Sequence, residues 1–243
     1  MKGVILAGGT GSRLLPLTKV TNKHLLPVGD RPMILHSLQK LVECGIKDII
    51  VITGTEHMGD MITLLGSGKD YDCNITYKVQ DQPDGIAGAL SLCESFCRDD
   101  SCVVILADNV FQISLHEVIQ SFLKVKKKNQ NTPCCLLTLT SVDDPKRFGI
   151  ASLKHGKIIK IVEKPKNSKS DLCVSGIYLY DTNLFKFLKS LKKSGRGEYE
   201  ITDLNNLYID NGIASFKILD GWWSDAGTHE SYRKANLLMS QDR

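Results

Sequence analysis

Short runs of consecutive apolar residues alternate along the first half of the chain with longer stretches in which apolar residues recur every three or four positions. Consecutive runs predict buried strands, and the recurring pattern predicts amphipathic helices. Because continuously apolar strands that alternate with helices are typical of crossover units, we expect a mostly parallel sheet. The predicted strands are Lys2–Ala7, Asp48–Thr53, Ile75–Val79 and Cys102–Leu106, and the predicted helices are Ile34–Cys44, His57–Leu65, Ala87–Phe96 and Leu115–Lys126.

The second half of the chain is dominated by short strand patterns. Within it, His155-Gly156 predicts the tight turn of a β-hairpin. No glycine-serine linker or low-complexity stretch separates the halves, so we expect one domain over residues 1–243. The predicted fold class is α/β, a Rossmann-like domain with a mixed, mostly parallel sheet and helices on both faces. The predicted strands of this half are Leu136–Thr140, Ile150–Lys154, Lys157–Val162, Cys173–Tyr180 and Ser215–Leu219.

Composition narrows the class of protein. A chain of 243 residues with 42% hydrophobic residues is long enough to bury a sizeable core. Its net charge of +4 is too small and too evenly spread to predict binding to a nucleic acid polymer. No apolar run reaches the roughly 18 residues of a membrane helix, and the N-terminus begins a strand, so we expect a cytoplasmic protein without a membrane partner. The eight cysteines lack zinc spacing and lie in apolar contexts, which predicts reduced structural thiols.

The segment Leu6–Arg13 carries the strongest chemical signal. Its glycine amides can approach an anion, and the planar guanidinium of Arg13 can bind two phosphate oxygens at once. A Walker loop needs a lysine after its last glycine, and a dinucleotide fingerprint needs a helix that Pro16 would interrupt, so both are excluded. A glycine turn without a ligand is the alternative. The predicted nucleotide-binding residues here are Leu6, Ala7, Gly8, Gly9, Thr10, Gly11 and Arg13.

Lys23 lies between two prolines on a segment that cannot be a continuous helix, so a second cation is expected near the glycine turn. The pattern G-G-T-G-S-R-L…P-L-T-x-x-x-x-K-x-L-L-P-V…P-M-I resembles the signature of the sugar-nucleotide pyrophosphorylases, nucleotidyltransferases that join a sugar 1-phosphate to a nucleotide. The resemblance covers essentially the whole chain and is to the short form, without a C-terminal extension. It implies a nucleotide-binding core over residues 1–130 and a sugar-binding part over residues 131–243.

The resemblance also implies a reaction and an assembly. The expected substrates are dTTP and α-D-glucose 1-phosphate, the expected products are dTDP-glucose and pyrophosphate, and the expected cofactor is Mg²⁺. Direct attack on the α-phosphorus needs no protein nucleophile. The resemblance further implies a homo-oligomer, either a dimer or a tetramer. Two alternatives stay open: the same reaction with UTP or with another sugar 1-phosphate, and a non-catalytic sugar-nucleotide sensor.

A metal site is predicted from two carboxylates. Asp108 follows an apolar strand, which places it at the carboxyl edge of a parallel sheet, where ligands gather. One carboxylate is a poor metal site, so a second is expected. The segment Trp223–Thr228 resembles the family motif W-x-D-x-G-T, in which the aspartate, here Asp225, is the second metal ligand. The alternative for Asp225 is the N-cap of a helix over Thr228–Leu238.

The remaining roles follow from the charge of the two substrates, a nucleoside triphosphate and a sugar phosphate, which repel each other. The protein must supply cations that offset this repulsion and groups that position the substrates. Arg13 would bind the β and γ phosphates and stabilise the leaving pyrophosphate, and Lys23 would neutralise phosphate charge. The triplet E-K-P resembles a family motif that places Glu163 on sugar hydroxyls and Lys164 on the sugar phosphate. The catalytic set is therefore Arg13, Lys23, Asp108, Lys164 and Asp225, and the other predicted sugar-binding residues are Asn109, Gly149, Val174, Gly176 and Arg196.

Base recognition is expected at the segment Val79–Ala87. The amide of Gln80 can donate to O4 and accept from N3–H of thymine or uracil, and the Gly85 backbone N–H can reach O2. Hydrogen bonding alone leaves dTTP, UTP and CTP open, because the Gln80 amide can rotate. Two positions depart from many relatives: Phe148 stands where tyrosine is common, and Ala107 replaces a glycine before the metal aspartate.

Overall fold

A computed structural model describes residues 1–128 and 132–242 of the chain. Its strands are β1 (Lys2–Ala7), β2 (Pro27–Val28), β3 (Arg31–Pro32), β4 (Asp48–Gly54), β5 (Asn74–Gln80), β6 (Cys102–Leu106), β7 (Val110–Phe111), β8 (Cys135–Ser141), β9 (Gly149–Lys154), β10 (Lys157–Glu163), β11 (Leu172–Tyr180), β12 (Ala214–Ile218) and β13 (Trp223–Ser224). Its α-helices are α1 (Met33–Glu43), α2 (Met58–Leu65), α3 (Ile86–Ser91), α4 (Glu94–Cys97), α5 (Leu115–Lys128), α6 (Leu184–Leu188), α7 (Ile201–Asp210) and α8 (His229–Gln241).

The chain forms two compact units, and each combines segments that are distant in sequence. Unit 1 consists of Met1–Pro83, Val103–Leu115 and Gly221–Arg243, and unit 2 consists of Asp84–Cys102 and His116–Asp220. The predicted division into a nucleotide-binding core (1–130) and a sugar-binding part (131–243) has its boundary within residues 129–131, outside the described residues. That division stays a prediction.

The strands of unit 1 lie in the order β6-β1-β4-β5. Strand β1 runs parallel to β4, with Gly3 opposite Ile49 and Ala7 opposite Thr53, and β4 runs parallel to β5. Strands β1 and β4 are almost continuously buried, as expected for parallel strands with apolar residues on both faces. Helices α1 and α2 form the crossovers between these strands, so the predicted strands and helices of this part of the chain are confirmed.

A smaller apolar cluster completes unit 1. It contains Val28, Met33, Val110, Ala226 and Ala235, all buried. Helix α8 contributes to this cluster and begins after Thr228, whose hydroxyl accepts a hydrogen bond from the Ser231 backbone N–H in a capping box. Thr228 is therefore the N-cap of this helix, and the alternative that assigned this role to Asp225 is wrong.

Unit 2 contains mostly antiparallel pairs. Strand β11 pairs antiparallel with both β8 and β9, β9 and β10 form a hairpin, and β12 runs parallel to β8. The hairpin turns at His155 and Gly156, whose φ angles of 49° and 72° are those a type I′ turn requires. All five strands predicted for this half are confirmed.

Two other predictions concern helices and cysteines. The single helix predicted over Ala87–Phe96 is wrong, because the chain turns between α3 and α4. All eight cysteines are free, and all except the half-buried Cys44 are buried, in agreement with their prediction as reduced core thiols. Among residues 1–128 and 132–242, no helix is long and apolar enough to cross a membrane.

Candidate active site

The glycine-rich loop of unit 1 begins where β1 ends, at Ala7. Gly11 has a φ of +70°, in the left-handed region that favours glycine, and the hydroxyl of Thr18 donates a 2.8 Å hydrogen bond to its carbonyl oxygen. A Cβ on Gly9 would lie 3.1 Å from Nζ of Lys23, so a side chain at that position would press on the lysine. The structure thus brings a cation directly beside the glycine loop.

Lys23 is paired with the first predicted metal ligand. Its Nζ donates a 2.5 Å hydrogen bond to Oδ2 of Asp108, and the two side chains are only 10% and 16% exposed. Nδ2 of Asn109 donates a 2.9 Å hydrogen bond to the other carboxylate oxygen of Asp108. Burial alone would raise the pKa of Asp108, but the charge of Lys23 and these hydrogen bonds outweigh burial and lower it. Asp108 is therefore held as a largely buried carboxylate anion.

The second predicted ligand reaches the same region through a short ladder. Strand β13 pairs antiparallel with β7, with Ser224 opposite Val110, so continuing the register places Asp225 alongside Asn109. A Cβ on Gly227 would lie 3.3 Å from Oδ2 of Asp225 and 3.3 Å from Nη2 of Arg13. The carboxylate of Asp225 and the guanidinium of Arg13 therefore both lie next to Gly227.

Gln80 is the last residue of β5 and pairs in register with Gly54. Its side-chain Oε1 would lie 2.6 Å from a Cβ on Gly8, which is closer than any real Cβ contact. A glycine at position 8 is therefore required for this placement of the amide. The predicted base-reading group lies beside the predicted phosphate loop within unit 1.

Unit 2 contains the predicted sugar-binding residues except Asn109, which lies in unit 1. Gly149 and Glu163 are directly opposite each other in the β9–β10 hairpin. Oε2 of Glu163 accepts a 2.7 Å hydrogen bond from the hydroxyl of Thr202, on the first turn of α7. Nζ of Lys164 lies 3.6 Å from Oε1 of Glu163. Lys164 has a φ of 44°, and its backbone N–H donates a 2.9 Å hydrogen bond to the Phe148 carbonyl.

Arg196 belongs to the same group of charges. Its guanidinium binds Glu200 through two hydrogen bonds, 3.1 Å from Nε and 2.8 Å from Nη2, and Nη2 also lies 3.8 Å from Glu163. The hydrogen bonds to Glu200 raise the pKa of Arg196. Glu163 thus has Lys164 and Arg196 as neighbouring cations, and Glu200 fixes the direction in which the Arg196 guanidinium points.

The other predicted residues of unit 2 lie at irregular backbone. Strand β11 has a register shift between Val174 and Tyr178, and Gly176 within it has a φ of 73°. Such bulges redirect a strand and are frequent beside active sites. Gly85 has a φ of 96°, and a Cβ there would lie 2.5 Å from the carbonyl oxygen of Tyr199, so only glycine fits.

Comparison with known proteins identifies the family of the chain. Residues 2–242 match the family described as Nucleotidyl transferase. The chain belongs to this family. It is 43% identical over 239 residues to the glucose-1-phosphate thymidylyltransferase of Neisseria meningitidis serogroup A, and the match covers 97% of this chain and 81% of that protein.

Solved structures of nucleotidyltransferases agree with this assignment. A Bacillus anthracis structure described as a glucose-1-phosphate thymidylyltransferase in complex with a sucrose is 53% identical, with a TM-score of 0.92 over 98% of this chain and 94% of that chain. A UDP-glucose pyrophosphorylase complexed with UDP-glucose is 25% identical, with a TM-score of 0.82 over 100% and 99% of the two chains. The predicted fold class and family resemblance are confirmed, and the protein is an enzyme of nucleotidyl transfer.

Nucleotidyltransferases of this family generally depend on a divalent metal ion. Within the described ranges, no three His, Cys, Asp or Glu side chains are grouped so that they could hold a metal by themselves. The metal site predicted at Asp108 and Asp225 therefore stays a prediction, and a metal ion there would take its remaining ligands from water or from phosphate oxygens, as Mg²⁺ usually does.

The two departures from the family pattern are accommodated locally. The Ala107 methyl group is fully buried, and its backbone N–H donates a 3.0 Å hydrogen bond to the Leu6 carbonyl of β1. The ring of Phe148 packs against the guanidinium of Arg147, with 5.0 Å between the guanidinium carbon and the ring centroid. The hydrogen bond between Phe148 and Lys164 is made by the Phe148 backbone carbonyl. It therefore does not depend on a hydroxyl group on the ring of residue 148.

Sequence reasoning missed several residues that organise the site: His24, Thr202, Glu200 and Trp223. Each of them stands within or directly beside a motif that the sequence made visible. The motifs therefore point to these positions, but they do not show which residues the side chains contact. His24 is 2% exposed, and its Nδ1 lies 2.7 Å from Oδ1 of Asn22. Burial, followed by the charge of Lys23, lowers the pKa of His24 to about 3, so this imidazole is neutral.

Proposed function

We propose that the protein transfers a thymidylyl group from dTTP to α-D-glucose 1-phosphate and releases pyrophosphate. The observation that carries the proposal is the convergence in unit 1 of the buried Lys23–Asp108 pair with the glycine loop, and of Arg13 with Asp225 around Gly227. Related proteins named glucose-1-phosphate thymidylyltransferase, at 43% and 53% identity, support the choice of substrates.

We propose Mg²⁺ as the divalent metal, held by Asp108 and Asp225. Both residues offer the hard anionic oxygen atoms that Mg²⁺ prefers, and the lowered pKa of Asp108 keeps that carboxylate ionised. When bound, the ion supplies positive charge for the α-phosphate and for the departing pyrophosphate. Lys23 holds one oxygen of Asp108 and Asn109 holds the other, so the carboxylate is oriented before substrates bind.

The cations of unit 1 act on the nucleotide. Arg13 follows the glycine loop, and its planar guanidinium can hold two oxygens of the β and γ phosphates as charge develops on the leaving group. Lys23 provides a second positive charge beside the loop at Gly9. The protein therefore stabilises charge and positions the reacting groups, and no protein nucleophile takes part.

The charged group of unit 2 acts on the sugar phosphate. Glu163 is the hydrogen-bond acceptor for sugar hydroxyls, and the hydroxyl of Thr202 fixes one of its oxygens. Lys164 and Arg196 offer positive charge to the phosphate of the sugar. Gly149, opposite Glu163, leaves space that a side chain would fill, because a Cβ there would lie 3.2 Å from Oε2 of the glutamate.

The base is read by the amide of Gln80 in unit 1, and the contact predicted from the sequence for the backbone N–H of Gly85, in unit 2, stays a prediction. These groups suit uracil as well as thymine, and the thymine methyl group contributes about 1 kcal/mol of apolar burial. UTP is the second candidate nucleotide, because the chain shares its fold at 25% identity with a UDP-glucose pyrophosphorylase. A non-catalytic sensor is disfavoured, because it would have no need to retain Arg13, Lys23, Asp108, Lys164 and Asp225 together.

A pyrophosphate-release assay over a grid of nucleotides and sugar 1-phosphates tests the proposal. We expect dTTP with α-D-glucose 1-phosphate to give the highest kcat/KM, and chelation of divalent ions to abolish release. Release with UTP but not with dTTP would contradict the named nucleotide, and no release from any pair would favour the sensor. We also propose a homo-oligomer, a dimer or a tetramer, which light scattering during size-exclusion chromatography tests.

A further inference from the structure

We propose that Trp223 is a positioning residue that sets the separation and orientation of the two carboxylates of the metal pair. The proposal rests on the proposed function, because it concerns the same metal site. The indole of Trp223 donates a 2.7 Å hydrogen bond from Nε1 to Oδ1 of Asn109. Asn109 in turn donates a 2.9 Å hydrogen bond from Nδ2 to Oδ1 of Asp108. A hydrogen-bonded relay therefore leads from the indole to the carboxylate.

The relay orients Asp108 completely. With Asn109 on Oδ1 and Lys23 on Oδ2, both oxygens of the carboxylate have a fixed donor, and the carboxylate plane cannot rotate without breaking one of them. The Asn109 side chain is 2% exposed, so water cannot easily replace the indole as its donor. Loss of the indole N–H would leave a buried amide oxygen without that hydrogen bond.

The same hydrogen bond also joins the two segments that carry the carboxylates. Trp223 precedes Asp225 by two residues, and Asn109 directly follows Asp108. The ladder that otherwise connects these segments is only two residues long on each strand. Because so short a ladder constrains its ends weakly, the Trp223–Asn109 bond is well placed to fix the distance between Asp108 and Asp225.

The relay also assigns Asn109 a second role, the orientation of the Asp108 carboxylate. The family resemblance of the sequence predicts a sugar-binding role for Asn109, and that role stays a prediction. In the structure its carbonyl oxygen accepts from Trp223 and one amide hydrogen is directed to Asp108. Only the second amide hydrogen is left to donate to a substrate. Asn109 therefore links carboxylate geometry to substrate binding.

The neighbouring tryptophan provides a matched control. Trp222 also donates a 2.7 Å hydrogen bond from its indole Nε1, but its acceptor is a carboxylate oxygen, Oδ2 of Asp242, near the end of the described chain. Trp222→Phe and Trp223→Phe each remove one indole N–H and keep an aromatic ring. The two variants differ in whether the lost bond leads to a carboxylate of the metal pair.

The experiment measures Mn²⁺ affinity by electron paramagnetic resonance, with Mn²⁺ alone as the probe, together with kcat, the Mg²⁺ concentration for half-maximal rate, and Tm. For Trp223→Phe we expect the Mn²⁺ Kd and the Mg²⁺ requirement to rise about tenfold, the range seen when groups that orient metal ligands are removed. Trp222→Phe should change neither by more than twofold. Both variants should remain folded, as judged by cooperative melting.

A double-mutant cycle tests the relay itself. Asn109→Ala should raise the Mn²⁺ Kd at least as much as Trp223→Phe, and adding Trp223→Phe to it should cause little further change, because both variants break the same path. Equal Mn²⁺ affinities for the folded Trp222→Phe and Trp223→Phe proteins would overturn the inference. If Asp108→Asn and Asp225→Asn also bound Mn²⁺ like the unmodified protein, the metal site of the proposed function would itself be refuted.

Discussion

The charged side chains of the two compact units differ in how far they are exposed to solvent. In unit 1, the paired side chains of Lys23 and Asp108 are 10% and 16% exposed. In unit 2, the side chains of Glu163, Lys164 and Arg196 are 31%, 48% and 44% exposed. Charges removed from water interact far more strongly than solvated ones, and they also lose more when a partner is removed. We therefore expect substitutions in unit 1 to affect mainly turnover, and substitutions in unit 2 to affect mainly substrate affinity.

Strand topology explains this difference. Strands β1 and β6 of unit 1 are almost continuously buried, the glycine loop follows the carboxyl end of β1, and Asp108 follows that of β6. In unit 2, Glu163 ends a hairpin of β9 and β10 whose outward-facing positions are exposed, Lys164 directly follows it, and Arg196 lies in the loop before α7. A hairpin offers a surface on which a ligand can be recognised while the charges stay solvated.

The largest expected effect is that of Asp225→Asn in unit 1. Because the substitution removes an anionic metal ligand while keeping its size, turnover should fall by about a thousandfold or more, and nucleotide binding should remain measurable. Pyrophosphate release and equilibrium binding of dTTP are the two measurements. Asp220→Asn, at an exposed position, is the control and should retain activity. Unchanged turnover for Asp225→Asn would remove this residue from the metal site.

A smaller and different effect is expected for Lys164→Met in unit 2. The variant loses a charge that we assign to the sugar phosphate, so the KM for glucose 1-phosphate should rise about tenfold, while the KM for dTTP changes little. Lys160→Met is the matched control, because Lys160 is an exposed lysine on β10, the strand that ends directly before Lys164. A large fall in kcat with an unchanged sugar KM would contradict the contrast between the two units.

The smallest effect concerns stability at acid pH. His24 lies beside the Lys23–Asp108 pair, and burial lowers its pKa from 6.5 to about 3. Between these values the unfolded chain binds a proton that the folded chain does not, so His24 lowers stability as the pH falls below 6.5. From pH 7.5 to pH 5, the unmodified protein should lose about 2 kcal/mol more unfolding free energy than His24→Gln does.

Urea denaturation at the two pH values measures this difference. His116→Gln, at an exposed position on α5, is the control and should follow the unmodified protein. If His24→Gln and the unmodified protein lost stability equally, His24 would be protonated in the folded state, and the site would not be as dehydrated as its burial indicates.

Much of the fold could be predicted because its signals are local. The apolar runs at Lys2–Ala7 and Asp48–Thr53 identified buried strands, and His155-Gly156 identified a hairpin. The helix predicted over Ala87–Phe96 failed for a local reason as well, since its periodic pattern does not show the turn between α3 and α4. Capping by Thr228 was equally invisible, because it depends on the hydroxyl of Ser231 and on the backbone angle at the cap.

The sequence by itself determined which chemical groups the protein carries and in which motifs: the glycine loop, Arg13, Lys23 and the two aspartates. Only the tertiary structure decided how those groups are held. The pairing of Lys23 with Asp108 joins residues 85 positions apart, and the bond from Trp223 to Asn109 joins residues 114 apart. A motif records which side chains are present, whereas hydrogen bonds over such separations exist only after the buried strands have brought their ends together.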